Sequence, residues 1–211
     1  MIASHDTFTY DKPINLLFNL FSIFWRCQKL DITSQYNKGV RIFDIRVARH
    51  KDKWVAAHGI YKSKHISFKS IFNICQYIKN EFPDTMVRIY LETNVNNKNY
   101  EIKDLFLKEA EEAWDKYKSM IWEMGTHFPW VVYFRNTDFN PLIKEYYCHL
   151  FNWNPDKSIS YNLNNFDWTS WNIKLYAKKH NPIITEEMIN DSTTIHFIDY
   201  IGKYPKTKGT A

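Results

Sequence analysis

Residues Val40 to Val47 read VRIFDIRV, and a few residues later Trp54 to Gly59 read WVAAHG. Both runs are rich in β-branched and aromatic residues and are bounded by polar or turn residues, which predicts strands. In the first run Asp44 and Arg46 alternate with Phe43, Ile45 and Val47. Side chains of a strand point alternately to its two faces, so one face is apolar and the other carries an ionic pair. A charge inside an apolar strand is costly unless it is paired or functional, so this face is a candidate site. Between the runs, Arg49 to Lys53 (RHKDK) is too short for a helical crossover and predicts a hairpin. A turn centred on Asp52 would set Arg46 directly opposite His58, about 5 Å away on the same face. Gly59, next in the chain, would let a ligand or a backbone approach closely.

Working outward, Met86 to Leu91 (MVRIYL), Trp130 to Phe134 (WVVYF) and Thr194 to Ile201 (TIHFIDYI) also read as strands, with a short one near Ser158 to Tyr161. Helical stripes lie between them. Ile66, Ile71, Ile74, Cys75 and Ile78 form one. Leu105, Phe106, Ala110, Ala113, Trp114, Tyr117 and Ile121 form another within a charged segment from Glu101 to Met124, and Leu142 to Phe151 predicts a third. The stretch from Asn152 to Asn172 reads mostly as long loop. Strands alternating with helices predict an α/β protein with mostly parallel pairing. A (β/α) barrel normally takes about 250 residues, with about 200 as its lower limit. The 211 residues therefore predict one domain, 1–211, and a small distorted TIM-type barrel with some helices short or missing.

Composition sets further bounds. Five glycines argue against a nucleotide-binding chain built on glycine loops, and the net charge of +5 is dispersed. That excess suits phosphate substrates or anionic surfaces, and no groove-reading motif points to nucleic acid. Cys27, Cys75 and Cys148 have neither metal-ligand nor disulfide-framework spacing and read as reduced, partly buried thiols, which fit a reducing compartment. No signal peptide is read: the polar cluster begins at His5. Localisation stays open between peripheral membrane contact and secretion after processing. Ile14 to Trp25 (INLLFNLFSIFW) is too short to span a bilayer. It reads either as a helix buried against the core or as one lying at a lipid interface, with Trp25 and Arg26 at its edge.

The remaining chemistry-bearing residues are Ser4-His5-Asp6-Thr7 near the amino terminus, Glu92 and Arg135 closing two strands, and Asp199 in the last one. Functional groups of barrels gather at the C-terminal ends of strands. SHDTFTY, GVRIFDIRV and AAHG at these separations resemble the X region of phosphatidylinositol-specific phospholipases C, the bacterial single-domain branch in particular. IYLE, VVYFR and FIDYI resemble later strands of the same barrel. The resemblance implies His5 as the general base that deprotonates the inositol 2-hydroxyl, and His58 as the general acid that protonates the diacylglycerol oxygen. It implies Asp199 as the carboxylate fixing the tautomer of His5, and Arg46 as the cation against the phosphate in place of calcium. Asp6 and Asp44 would hold that arginine, and Arg135 would contact inositol hydroxyls. No counterpart is found for the other inositol-gripping residues beyond a guess at Asp167. Glu92 stands where calcium-dependent relatives place an acidic ligand: it either pairs with Arg46 or keeps calcium together with Asp6 and Asp44. No cofactor is favoured, with calcium as the alternative.

The expected activity is phosphodiester cleavage of a phosphoinositide-like lipid through a cyclic inositol phosphate, by a monomer in transient contact with a membrane surface. Two other readings remain. One is a metal-dependent phosphodiesterase of the glycerophosphodiester or sphingomyelinase D type. The other is a barrel that binds lipid or phosphosugar without catalysis.

Overall fold

The computed structural model describes residues 2–22, 25–59, 61–92, 100–117, 120–125, 134–135, 159–161, 172–180, 185–190 and 195–201. It shows a mixed α/β architecture around one sheet. The strands are β1 (Ile2–Ser4), β2 (Val40–His50), β3 (Lys53–His58), β4 (Tyr61–Phe68), β5 (Met86–Glu92), β6 (Met120–Gly125), β7 (Phe134–Arg135), β8 (Ile159–Tyr161) and β9 (Ile195–Ile198). The main path runs β7-β6-β5-β2-β1-β9-β8, and β3 and β4 extend from β2. Pairing is parallel for β1 with β2 and β9, for β5 with β2 and β6, and for β8 with β9. It is antiparallel for β2–β3, β3–β4 and β6–β7. Among the described residues β7 and β8 do not pair, so the sheet is not closed there.

The helices are α1 (Ile32–Asn37), α2 (Ile71–Glu81), α3 (Tyr100–Tyr117), α4 (Ile173–His180) and α5 (Glu186–Asn190). Ser70 caps α2 by accepting the Asn73 amide, which satisfies one of the donors left free at a helix start. Ile71, Ile74, Cys75 and Ile78 of α2, with Phe106, Ala110 and Ala113 of α3, pack on Phe43, Ile45 and Val47 of β2 and Val87, Ile89 and Leu91 of β5. This is the core. The predicted apolar face of β2 is its covered face.

Four expectations need correction. Ile66 belongs to β4, and the helix begins only at Ile71, where Ser70 supplies a cap. Ile121 belongs to β6, since α3 ends at Tyr117. The β2–β3 hairpin pairs Val47 with Ala56 and His50 with Lys53. This is a one-residue slip from the predicted register, with Lys51 turning the chain at φ 53°. Finally, where a helix was expected, the described part of Ile14 to Trp25 holds a 3-10 turn, Leu16–Asn19, capped by Asn15. Of the two readings of this segment, the one that put Trp25 at a lipid interface fails, because Trp25 is 2% exposed. It stacks on Tyr61 with ring centroids 4.1 Å apart, and its indole N–H donates to the Phe18 carbonyl at 2.9 Å. Ile14 to Leu17 and Asn19 to Phe21 are exposed, Leu17 at 66% and Leu20 at 77%. The predicted helix 142–151 and the residue Asp167 lie outside the described residues, as do Trp130 to Tyr133 of a predicted strand.

Candidate active site

The site lies in a fork of the sheet. The flank of β2 that pairs with β1 up to Phe43 pairs with β3 from Val47 onward. Between them, at Asp44 to Arg46, the flank is open, and the turn His5-Asp6-Thr7 fills it at the C-terminal end of β1. The Thr7 amide donates to the Asp44 carbonyl at 2.7 Å, and the Asp6 amide to the Asp44 carboxylate at 3.2 Å. Asp6 itself has a left-handed backbone, φ 46°, a conformation that aspartate tolerates better than most residues.

Sheet register delivers the next contact. Parallel pairing of Ser4 with Ile198 sets His5 beside Asp199, the residue following β9. His5 Nδ1 donates to the Asp199 carboxylate at 2.8 Å. Its Nε2 accepts from Nη2 of Arg46, also at 2.8 Å. A guanidinium can only donate and an ionised carboxylate only accept, so the Nδ1–H tautomer satisfies both partners.

Arg46 reaches three site groups. Its Nε is 2.5 Å from the Asp6 carboxylate, and its Nη1 is 3.8 Å from that of Glu92. Beside it on β5, Arg88 donates to Asp44 at 2.5 Å, a pair set by the Asp44–Arg88 register. Asp44 was expected to hold Arg46; its carboxylate instead takes Arg88 and the Asp6 amide, and it is fully buried.

His58 arrives from β3. Alternation along β3 alone would put it on the side of Trp54 and Ala56, but strand pairing with β4 is irregular between Val55 and Ala57. Irregularities of this kind re-aim side chains. The His58 ring meets His5 edge-on, centroids 6.3 Å apart. Its Nδ1 donates to the Trp25 carbonyl at 2.7 Å, which turns Nε2 toward Asp6 at 3.4 Å. The predicted neighbourhood of Arg46 and His58 thus exists through a shared carboxylate rather than through cross-strand opposition.

The electrostatics of the two rings differ. Burial acts to lower the pKa of both. At His5 the carboxylates of Asp6 and Asp199 outweigh burial, and the pKa is raised while Arg46 opposes. At His58 burial wins over the attraction of Asp6, and the pKa is lowered. Burial works against the charge of Asp6, but Arg46 above all, then His58 and His5, hold its carboxyl far below the usual range.

Sequence reasoning passed over two residues here. Cys27 is buried in the site: its thiol donates to Asp6 at 3.3 Å and lies 3.7 Å from His58 Nδ1. Burial raises that thiol's pKa well above the ordinary value. No spacing signal marks it. Arg88 did carry a signal, a charge within MVRIYL at the same parity as Tyr90 and Glu92. Gly59 turns at φ 58° and its amide donates to Glu92 at 3.0 Å. Arg135 ends β7, opposite Glu123 of β6 in the strand register.

The three carboxylates considered for calcium are poorly suited to it. Asp6 and Glu92 flank Arg46, and Asp44 is committed to Arg88. Ligand atoms of His5, Asp6 and Cys27 also cluster within 4.8 Å, but the Arg46 guanidinium stands against both His5 and Asp6. A metal ion would have to displace that cation.

No family model matches the chain, and no curated protein matches it in sequence. Among solved structures, a variant of the phosphatidylinositol-specific phospholipase C from Staphylococcus aureus matches with a TM-score of 0.55 at 14% identity, covering 98% of this chain and 87% of that one. A second structure of the same enzyme, from work on modulation of its membrane binding, gives 0.52 with the same identity and coverage. At such identity the likeness is one of fold: this chain shares the fold of bacterial phosphatidylinositol-specific phospholipases C.

Proposed function

We propose that this chain is a single catalytic domain, a small distorted (β/α) barrel of the phosphatidylinositol phospholipase C X-region type, which cleaves a phosphoinositide-like lipid to a cyclic inositol phosphate and a diacylglycerol. The observation that carries the reading is the pair of imidazoles, buried His5 and partly buried His58, facing each other across Asp6 and Arg46 with Asp199 behind His5. Two rings, one guanidinium and two orienting carboxylates can supply the base, the acid and the charge that assist an internal phosphodiester attack.

In this mechanism the lipid phosphate lies against Arg46. His5 Nε2 takes the proton of the 2-hydroxyl, whose oxygen forms the new bond to phosphorus. The bond to the diacylglycerol oxygen breaks, and that oxygen receives a proton from His58 Nε2. Asp199 keeps Nδ1 of His5 protonated and stabilises the imidazolium as it forms. Asp6 stabilises the charged form of His58 before transfer, and Arg46 stabilises the charge accumulating on phosphorus. The productive form is His5 neutral with His58 charged; the Arg46 donor on His5 Nε2 favours the neutral base, while Asp6 favours the charged acid. Arg135 and Gly59 are assigned to the inositol side. The exposed apolar turn Leu16–Asn19, with Leu20 and Phe21, is assigned to transient membrane contact, because its chain runs directly into the site through the Trp25 carbonyl.

The test is incubation with phosphatidylinositol, with and without EDTA, followed by phosphorus NMR. A cyclic inositol phosphate formed equally in both arms is expected. Activity lost to EDTA and restored by calcium overturns the assignment of Arg46, and absence of any phosphodiester cleavage overturns the reading itself.

A further inference from the structure

Glu92 has no part in the proton transfers described, yet it touches two pieces of the site at once. It is buried at the end of β5. One carboxylate oxygen accepts the Gly59 amide at 3.0 Å, and the other lies 3.8 Å from Arg46 Nη1. Gly59 follows His58, and its φ of 58° is a left-handed conformation that favours glycine, although a Cβ at that position would meet nothing within 4 Å. The corner that carries His58 is therefore a left-handed turn tied to β5 by one carboxylate.

We propose that Glu92 is a positioning residue, which fixes the distance between the proton donor His58 and the phosphate-binding Arg46 by holding the Gly59 corner with one oxygen and facing the guanidinium with the other. The inference rests on the roles given above to His58 and Arg46. Of the two earlier alternatives for Glu92 it extends the pairing with Arg46 and replaces metal ligation, because its oxygens are directed at the backbone and at an arginine. Its charge adds to the effect, since it acts to raise the pKa of His58. A displacement of about 1 Å in such a group can lower turnover about a hundredfold, so the tie matters for rate more than for binding.

Three substitutions separate position from charge. Glu92→Ala removes both, Glu92→Gln keeps the reach and an acceptor oxygen, and Glu92→Asp keeps the charge but falls short of Gly59. Two readouts are used: hydrogen exchange at the Gly59 amide, which needs no substrate, and kcat and KM on a short-chain, water-soluble phosphatidylinositol. Gly59 exchange should quicken roughly tenfold or more in Glu92→Ala and Glu92→Asp, the loss of one charge-assisted hydrogen bond, and stay slow in Glu92→Gln. Turnover should follow the same order, with kcat falling and KM little changed. Unaltered Gly59 exchange in Glu92→Ala overturns the proposal, as does a rise in KM at constant kcat. Should Glu92→Ala fail to fold, the contrast between the Gln and Asp variants decides in the same way. An inactive wild type would sink the functional reading while leaving the Gly59 test intact.

Discussion

The two faces of β2 differ in almost every physical respect although their residues alternate in the chain. Phe43, Ile45 and Val47 sit in an apolar core under α2 and α3. Asp44, fully buried, and Arg46, partly buried, one residue away in each case, are held in a lattice of charges with Asp6, Arg88, Glu92 and His5. The apolar face gains free energy from each methylene removed from water, about 25 cal/mol per Å². The charged face must offset the desolvation of its ions by pairing them, and replacing such groups with apolar ones is often neutral for stability. Burial therefore means different things on the two sides: stability on one, chemistry kept ready on the other.

The largest effect should come from the charged side. His5→Ala and His58→Ala should each lower turnover by about two to four orders of magnitude, with a thermal midpoint close to wild type. Near-normal activity in His58→Ala would remove the acid from the scheme. A melting point that collapsed with either change would erase the distinction between the faces.

The apolar side should respond in the opposite sense. Ile45→Ala should cost about 2–5 kcal/mol of stability in denaturant titration. Activity per folded molecule should stay within severalfold of wild type. Trp25 now belongs with this group: Trp25→Ala should cost about 3–5 kcal/mol, since its stack on Tyr61 and its bond to Phe18 are both lost. Leu20→Ser is the contrasting change. It should leave stability within about 0.5 kcal/mol, as expected for an exposed position, while weakening retention on phosphatidylinositol vesicles. Unaltered vesicle binding would remove the membrane role of the turn.

The smallest effect lies outside both faces and concerns pH. Asp11 accepts from the Ser63 hydroxyl and from the His65 amide and ring, which clamps the chain before the apolar turn onto β4. Burial pushes its pKa up, but those hydrogen bonds outweigh it and hold the carboxyl at about 2, against an ordinary 3.8. A depressed carboxylate contributes stability that is whole above the ordinary pKa and is lost as pH falls through the folded one. Asp11→Asn should therefore flatten the loss of thermal stability between about pH 4 and pH 2. An unchanged acid limb would show that the clamp is not what titrates there.

Sequence alone determined which residues of β2 face which way, because side-chain alternation is local and needs only an extended backbone. It also placed the strand carrying His58, the helix core of α2 from Ile71 onward, and the charges that mark the site. Local pattern could not decide how those pieces meet. His5 reaches Asp199 only because β1 and β9 pair in one register, and a slip of one residue in the β2–β3 hairpin removed the predicted Arg46–His58 opposition while Asp6 restored the neighbourhood by another route. Trp25 carried no sign that Tyr61 would cover it, and Asp44 none that Arg88, 44 residues away, would claim it. Register, stacking and ion pairing are long-range matters, settled by which arrangement buries the most apolar surface while leaving the fewest charges unpaired.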